Sequence, residues 1–252
     1  MSPGDYRLGL LVIHNDPVPE AEAWLSRPVW TTVHTARFDT PRAPGEEFRG
    51  KSLDYLLNAS GLRRSIRHLA DLGVHSIGYC FASSSLFGGA QFDAEFQDVA
   101  TEIAGGIPVV TSGRALREAV AERSSQRKLV VIPPWFSDET IDALKKYLSL
   151  RPGVDTTFRY ELPAGWTTYE RPDLFDAGAR HAVNADSLIA QVALQQPDKH
   201  DVLVIPGGGM HSLGAHQLLA TRYGLETISA NGALVNALHS AAAHAAAIIR
   251  ST

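Results

Sequence analysis

Three apolar runs recur in the same order in the two halves of this chain. RLGLLVIHNDPVPE from Arg7 pairs with KLVVIPPWFSDE from Lys128, SIGYCFAS from Ser76 with DVLVIPGG from Asp201, and GIPVVTSGRALREA from Gly106 with GLETISANGALVNA from Gly224. The shared order describes a duplicated unit whose copies meet near Ser124. Each run is rich in Val, Ile and Leu and is followed by an amphipathic stretch, the pattern of βα units around a buried parallel sheet. Strands are expected at Arg7 to Ile13, Ser76 to Phe81, Ile107 to Thr111, Lys128 to Ile132, Asp201 to Ile205 and Glu226 to Ser229. Helices are expected near Ser60 to Leu72, Phe92 to Ala104, Gly113 to Ala121, Ser137 to Leu148, Ala185 to Gln195, Leu213 to Tyr223 and Ala230 to Ile249. Ligands of such sheets bind beyond the carboxyl ends of the strands. Two halves packed face to face therefore place Cys80 to Ser85 and Pro206 to His211 on opposite sides of one cleft.

Composition narrows the partners. Lys and Arg number 23 against 27 Asp and Glu, a net charge of −4, so no basic excess points to nucleic acid. No apolar stretch reaches the roughly 20 residues that cross a bilayer, and the opening MSPGDYRLGL carries Asp5 and Arg7 where a signal peptide is apolar. A cytoplasmic protein without a membrane partner is expected. Cys80 is the single cysteine, which excludes an internal disulfide and a thiolate metal cage.

A strand ending in a Ser-rich loop before GGAQF, a strand ending in PGGGMHSLG, and the final GLETISANGALVNALHSA together resemble the aspartate/glutamate racemase superfamily. Within it, the branch of arylmalonate decarboxylase and maleate cis-trans isomerase is the most similar, and the resemblance runs from Arg7 to about Ala243. It implies an α/β fold of two pseudo-symmetric Rossmann-like halves, residues 1–123 and 124–252, each a mostly parallel sheet flanked by helices. The active site then lies in the cleft between them, and the C-terminal helix is free to pack back on the first half. It also implies cofactor-free chemistry at a carbon next to a carboxylate, with a cysteine ending the second strand of each half. Hydroxyls and backbone N–H groups would hold the enediolate, whose charge preorganised donors stabilise strongly.

This chain departs from that pattern at both thiol positions. Counting from GGAQF and from Gly73 puts Phe81 at the first, and the internal repeat puts Pro206 at the second. Cys80 sits one residue early. Alternation along a strand turns such a residue to the other face, although a shift at the strand end would restore it as a thiol catalyst. Packing and catalysis both stay open for Cys80.

The expected catalytic set is His211, Cys80 and Ser83. His211 follows three glycines that free backbone N–H groups for an anion nest at a helix start; it could transfer a proton near neutral pH or merely cap the helix. The expected substrate-binding set is His14, Asn15, Ser84, Ser85, Trp135, Gly207, Gly208, Gly209 and Ser229, with Asn231 a weaker addition. Trp135 falls where the decarboxylase branch has a tyrosine donor. Gly208 is the glycine expected to resist a side chain, whereas Met210 is expected to tolerate change. The glycines lack the GxGxxG spacing of a dinucleotide site. No metal site is expected, because His14 with His34 and His211 with His216 lack an acid at ligand spacing. The acidic stretch Asp16 to Glu22 reads as a solvated loop, and the loops Thr35 to Lys51 and Leu162 to Arg180 as cleft walls.

These readings point to a cofactor-independent isomerase or lyase acting on a small carboxylate or another enolisable substrate. A biosynthetic cyclase or hydrolase reusing the cleft, and a non-catalytic carboxylate-binding protein, are the alternatives. The oligomeric state stays open, a homo-oligomer included.

Overall fold

The computed structural model describes residues 6–39, 42, 46, 52–59 and 61–251. The charged opening Met1 to Asp5, Ser60 and much of the stretch from 40 to 51 lie outside the described residues. All six expected strands form: β1 (Tyr6–Ile13), β3 (Ser76–Tyr79), β4 (Val109–Thr111), β5 (Lys128–Ile132), β7 (Val202–Ile205) and β8 (Glu226–Ser229). Two strands not read from the sequence, β2 (Thr31–Phe38) and β6 (Thr156–Arg159), complete the outer edges. Both are more polar than the inner strands, and β6 is only half-buried, so neither carries the apolar signature of a central parallel strand. Thr35 to Phe38 thus belong to a strand and not to a cleft loop.

Each half forms one four-stranded parallel sheet, ordered β2-β1-β3-β4 and β6-β5-β7-β8. The common order puts a topological switch between β1 and β3 in one sheet and between β5 and β7 in the other, where crevices open at strand ends. In β1, Leu8, Leu10 and Val12 join one core layer while Leu11 and Ile13 join another, so the strand is buried on both faces.

The helices are α1 (Val18–Ser26), α2 (Leu53–Ala59), α3 (Leu62–Asp71), α4 (Ala82–Ile103), α5 (Ser112–Ala121), α6 (Asp138–Tyr147), α7 (Arg171–Asp176), α8 (Ala185–Leu194), α9 (Leu213–Tyr223) and α10 (Ala230–Ser251). Side-chain caps explain several boundaries: Thr111, Ser137 and Asn184 accept the N–H groups of Arg114, Thr140 and Ser187, and α6 places Asp138 and Glu139 in its first turn and Lys145 and Lys146 in its last. Two starts differ from expectation. Helix α4 begins ten residues before Phe92, so Ser83 to Ser85 form its first turns and not a loop; it breaks at Gly89, whose φ is +70°. Helix α1 replaces the expected acidic loop.

The halves interlock. Helix α10 packs on β1, β3 and β4 of the first sheet, so closely that a Cβ on Gly78 would lie 2.8 Å from Leu238. Buried Asp93 of α4 accepts the Ser85 and Thr111 hydroxyls at 2.6 Å each and the Tyr147 hydroxyl of α6 at 2.5 Å. Ser85 thereby holds the scaffold together and is turned away from the cleft.

Candidate active site

A cavity of about 100 Å³ lies beyond the carboxyl ends of the inner strands of both sheets. Ile13 at the end of β1 and Asp16 after it, Phe81 and Ser83 after β3, Trp135 after β5 and Pro206 after β7 line it. The cleft inferred from the repeat is thus present, with Phe81 and Pro206 in one cavity. Pockets for drug-sized ligands span roughly 300–1,000 Å³, so this one suits a small molecule.

Cys80, Ser83, Trp135, Gly207, Gly208 and Gly209 come together in the wall. Other expected residues lie elsewhere. His14 is exposed, 3.7 Å from Asp39. Asn15 donates to Asp176 at 3.4 Å. Ser84 is buried and donates back to the Phe81 carbonyl at 2.8 Å, a bond within the first helical turn. Ser229 accepts the Gly232 N–H at 3.1 Å and opens on a separate groove along β4 and β8, where Arg114 and Arg123 are already paired with Glu118 and Glu226. His211 is half-buried and does not line the cavity.

Alternation decides the orientation of Cys80. Tyr79 and Phe81 pack in the layer of Leu11 and Ile13, whereas Cys80 packs with Leu10, Val12, Ala115 and Leu234. Burial, chiefly, pushes its thiol pKa up, away from thiolate character. What Cys80 brings to the glycine turn is its carbonyl oxygen, 3.9 Å from where a Cβ on Gly208 would stand.

The expected anion nest is taken by the protein itself. Glu22 of α1 is 2% exposed and accepts the N–H groups of Ser212 at 2.5 Å and Leu213 at 3.0 Å, together with the Asn231 amide at 2.8 Å. Asn231 also donates to the Gly208 carbonyl at 2.9 Å, so it braces the glycine turn. None of the three glycines has positive φ, which removes the backbone form of a nest. Their smallness matters through packing: a Cβ on Gly209 would lie 2.8 Å from Phe175, and one on Gly207 would lie 2.6 Å from Pro133, whereas one on Gly208 meets nothing closer than 3.5 Å. The intolerant positions are therefore Gly207 and Gly209. Met210 is fully buried in the second core and is not free to vary.

Free donors border the cavity on both sides. Among the described residues the N–H groups of Ala82 and Ser83, at the uncapped start of α4, have no acceptor, and neither do those of Gly208 and Gly209. These are groups that an oxyanion can use.

Asp16 is the cavity residue missed in the sequence. It is 4% exposed, and its Oδ1 accepts the Val18 N–H at 3.0 Å at the head of α1. Its Oδ2 lies 3.3 Å from the Cβ position of Gly209. Burial raises its pKa, opposed by the Val18 N–H and by Arg180, His211 and Arg37. The signal available was an Asp directly before a Pro-containing helix start, DPVPE, at a strand end, where an Asp side chain readily accepts the N–H two residues on.

Aromatic rings close the cavity. Phe175 meets Trp135 edge to face at 5.3 Å and carries Arg180 over its ring at 4.7 Å. At the mouth, Arg42 grips Asp176 through two bonds of 2.8 and 3.0 Å. The segment 162–180 thus supplies a wall as expected, but through α7. Among the described residues no group of three or more His, Cys, Asp or Glu side chains is arranged to hold a metal, and no helix is long and apolar enough to cross a membrane.

Residues 55–249 match the family model of arylmalonate decarboxylase. No curated protein sequence matches the chain. Among solved structures, the maleate isomerase Iso from Pseudomonas putida is similar over 94% of this chain and 92% of its own, with a TM-score of 0.69 and 18% identity. Unliganded arylmalonate decarboxylase is similar over 93% and 92%, with a TM-score of 0.67 and 17% identity. A mutant of the Nocardia farcinica maleate cis-trans isomerase, carrying a covalently bound succinylcysteine intermediate, matches over 98% and 92%, with a TM-score of 0.62 and 21% identity.

Proposed function

Because the chain belongs to the arylmalonate decarboxylase family, we propose that it cleaves carbon dioxide from a small substituted malonate through an enediolate. The observation that carries this reading is the cavity itself: backbone N–H groups without acceptors on two sides, the rings of Phe81, Trp135 and Phe175 in the wall, and a cysteine whose side chain packs with core residues. The N–H groups of Ala82 and Ser83, with the Ser83 hydroxyl, would bind the carboxylate that stays and share the charge that develops on it. Phe81, Trp135 and Phe175 would surround the substituent and the departing carboxylate, where exclusion of water favours its release as neutral carbon dioxide.

Lyase chemistry is favoured over isomerisation by the position of Cys80. A cysteine adduct of the kind named for the Nocardia isomerase needs a thiol facing the substrate. Here Cys80 borders the cavity, but its side chain packs with Leu10, Val12 and Leu234.

The test is incubation with methylmalonate, phenylmalonate and maleate in deuterated water, followed by proton NMR. The expected result is a monocarboxylate with one deuterium at the α-carbon from at least one malonate, with maleate unchanged. Conversion of maleate to fumarate would replace this reading with isomerisation. Binding without turnover of any of the three would make the protein a carboxylate-binding module.

A further inference from the structure

We propose that Asp16 is the acid that delivers the proton to the α-carbon in this cavity. The inference rests on the decarboxylase reading and adds the group that family resemblance did not supply. Protic side chains in the wall are few. Ser83 and Thr140 carry hydroxyls, far weaker acids than a carboxyl group. The Cys80 thiol is turned into the core, Arg42 is held in its two bonds to Asp176, and Glu46 is exposed.

Asp16 differs from all of these in geometry. One oxygen is fixed by the Val18 N–H, which sets the plane of the carboxyl group at the head of α1. The other accepts no protein hydrogen bond among the described residues and stands beside the Gly209 turn and the Trp135 ring. A carboxyl group with one oxygen anchored and the other turned to a small apolar cavity is built to carry a proton there. Arg180, His211 and Arg37 oppose the shift, and burial outweighs them and raises its pKa.

The step balances as follows. The bond between the α-carbon and one carboxyl carbon breaks, carbon dioxide leaves, and the electron pair enters the enediolate of the remaining carboxylate. The Asp16 O–H proton moves to the α-carbon as the enediolate collapses. Asp16 is left as a carboxylate and regains a proton from water at the cavity mouth. The rate should therefore fall as pH rises through the raised pKa of Asp16, because the proton donor is lost.

Asp16→Asn separates this role from the bond to Val18, since an asparagine Oδ1 accepts that N–H as an aspartate oxygen does. With phenylmalonate and methylmalonate as probes, Asp16→Asn should cut turnover by at least about 10²-fold, the usual loss for a general acid. It should keep KM within a few-fold and the melting temperature within a few degrees, and its residual activity should lack the high-pH decline. Turnover within a few-fold of wild type, or an unchanged pH profile, overturns the role of Asp16 and leaves the decarboxylase reading standing. If the wild-type protein neither binds nor converts either malonate, the decarboxylase reading fails and the role of Asp16 fails with it.

Discussion

The carboxylate of Glu22 accepts the backbone N–H of Leu213 at 3.0 Å, so the first half of the chain supplies the anion at the head of a helix in the second. The same carboxylate holds Asn231, which in turn holds the Gly208 carbonyl. One buried acid thereby ties α1, α9, α10 and the glycine turn together. The bond network also decides where a substrate carboxylate does not go.

Glu22→Gln should destabilise the protein by about 1–3 kcal/mol, the range for leaving buried groups imperfectly paired. The amide keeps an acceptor oxygen but loses the charge and brings a donor into a site already crowded with donors. Urea unfolding measures the change. An unaltered midpoint would mean that water replaces the carboxylate at this helix end.

Gly208→Ala and Gly209→Ala should behave differently although they are neighbours. At Gly208 the new Cβ finds ordinary contacts of 3.5 Å and beyond, whereas at Gly209 it would lie 2.8 Å from Phe175 and 3.3 Å from Asp16 and Trp135. Activity within about threefold of wild type is expected for the first. The second should lose at least about tenfold, since small misplacements of a reacting group are costly. Steady-state rates on whichever malonate is turned over decide it, and equal effects would contradict the packing described.

Cys80→Ala should retain at least about a tenth of the activity, because the thiol packs against Leu10, Val12 and Leu234. A stability loss of about 1 kcal/mol is expected for removing a small buried group. In the native protein the thiol should also resist alkylation by iodoacetamide. A 10²-fold drop in rate with the fold intact would restore the thiol as a catalyst.

Arg127→Gln should weaken the protein in a pH-dependent way. The Arg127 hydrogen bond lowers the pKa of buried Asp201, with burial opposing it. A depressed carboxyl pKa contributes stability that is complete above the unfolded value and is lost as pH falls through the folded one. The gap between wild type and variant should thus be constant above about pH 5 and close progressively below it. Urea titrations across that range test the sign, and a gap that widens in acid would refute the assignment.

Much of the scaffold was legible because buried parallel strands are continuous apolar runs. β1, β5 and β8 could be placed to within a residue, and the doubled order of segments implied two similar sheets. Strands β2 and β6 escaped notice because edge strands need only one apolar face, and TTVHTARF and TTFR show too little of one. Helix α4 was started late because serines and paired glycines read as a turn, whereas its first turn is held by the Ser84 bond to Phe81.

The candidate site divides along the same line. Local sequence places Ser83, Trp135 and Gly207 to Gly209 at strand ends, and strand alternation alone argues against Cys80 as a catalyst. It could not reveal that Glu22 would occupy the helix start 190 residues away, that Ser85 would serve Asp93, or that His211 would stand outside the cavity. Nor could it separate Asp16 from a solvated acidic loop. Backbone pattern and hydrophobic period are local quantities, so the sequence by itself determined the apolar strands, their doubled order and the strand ends that border the cleft. Burial and hydrogen-bond partnership depend on which distant segments meet, so only the tertiary structure decided which acid is solvated, which is a structural anion and which faces the cavity.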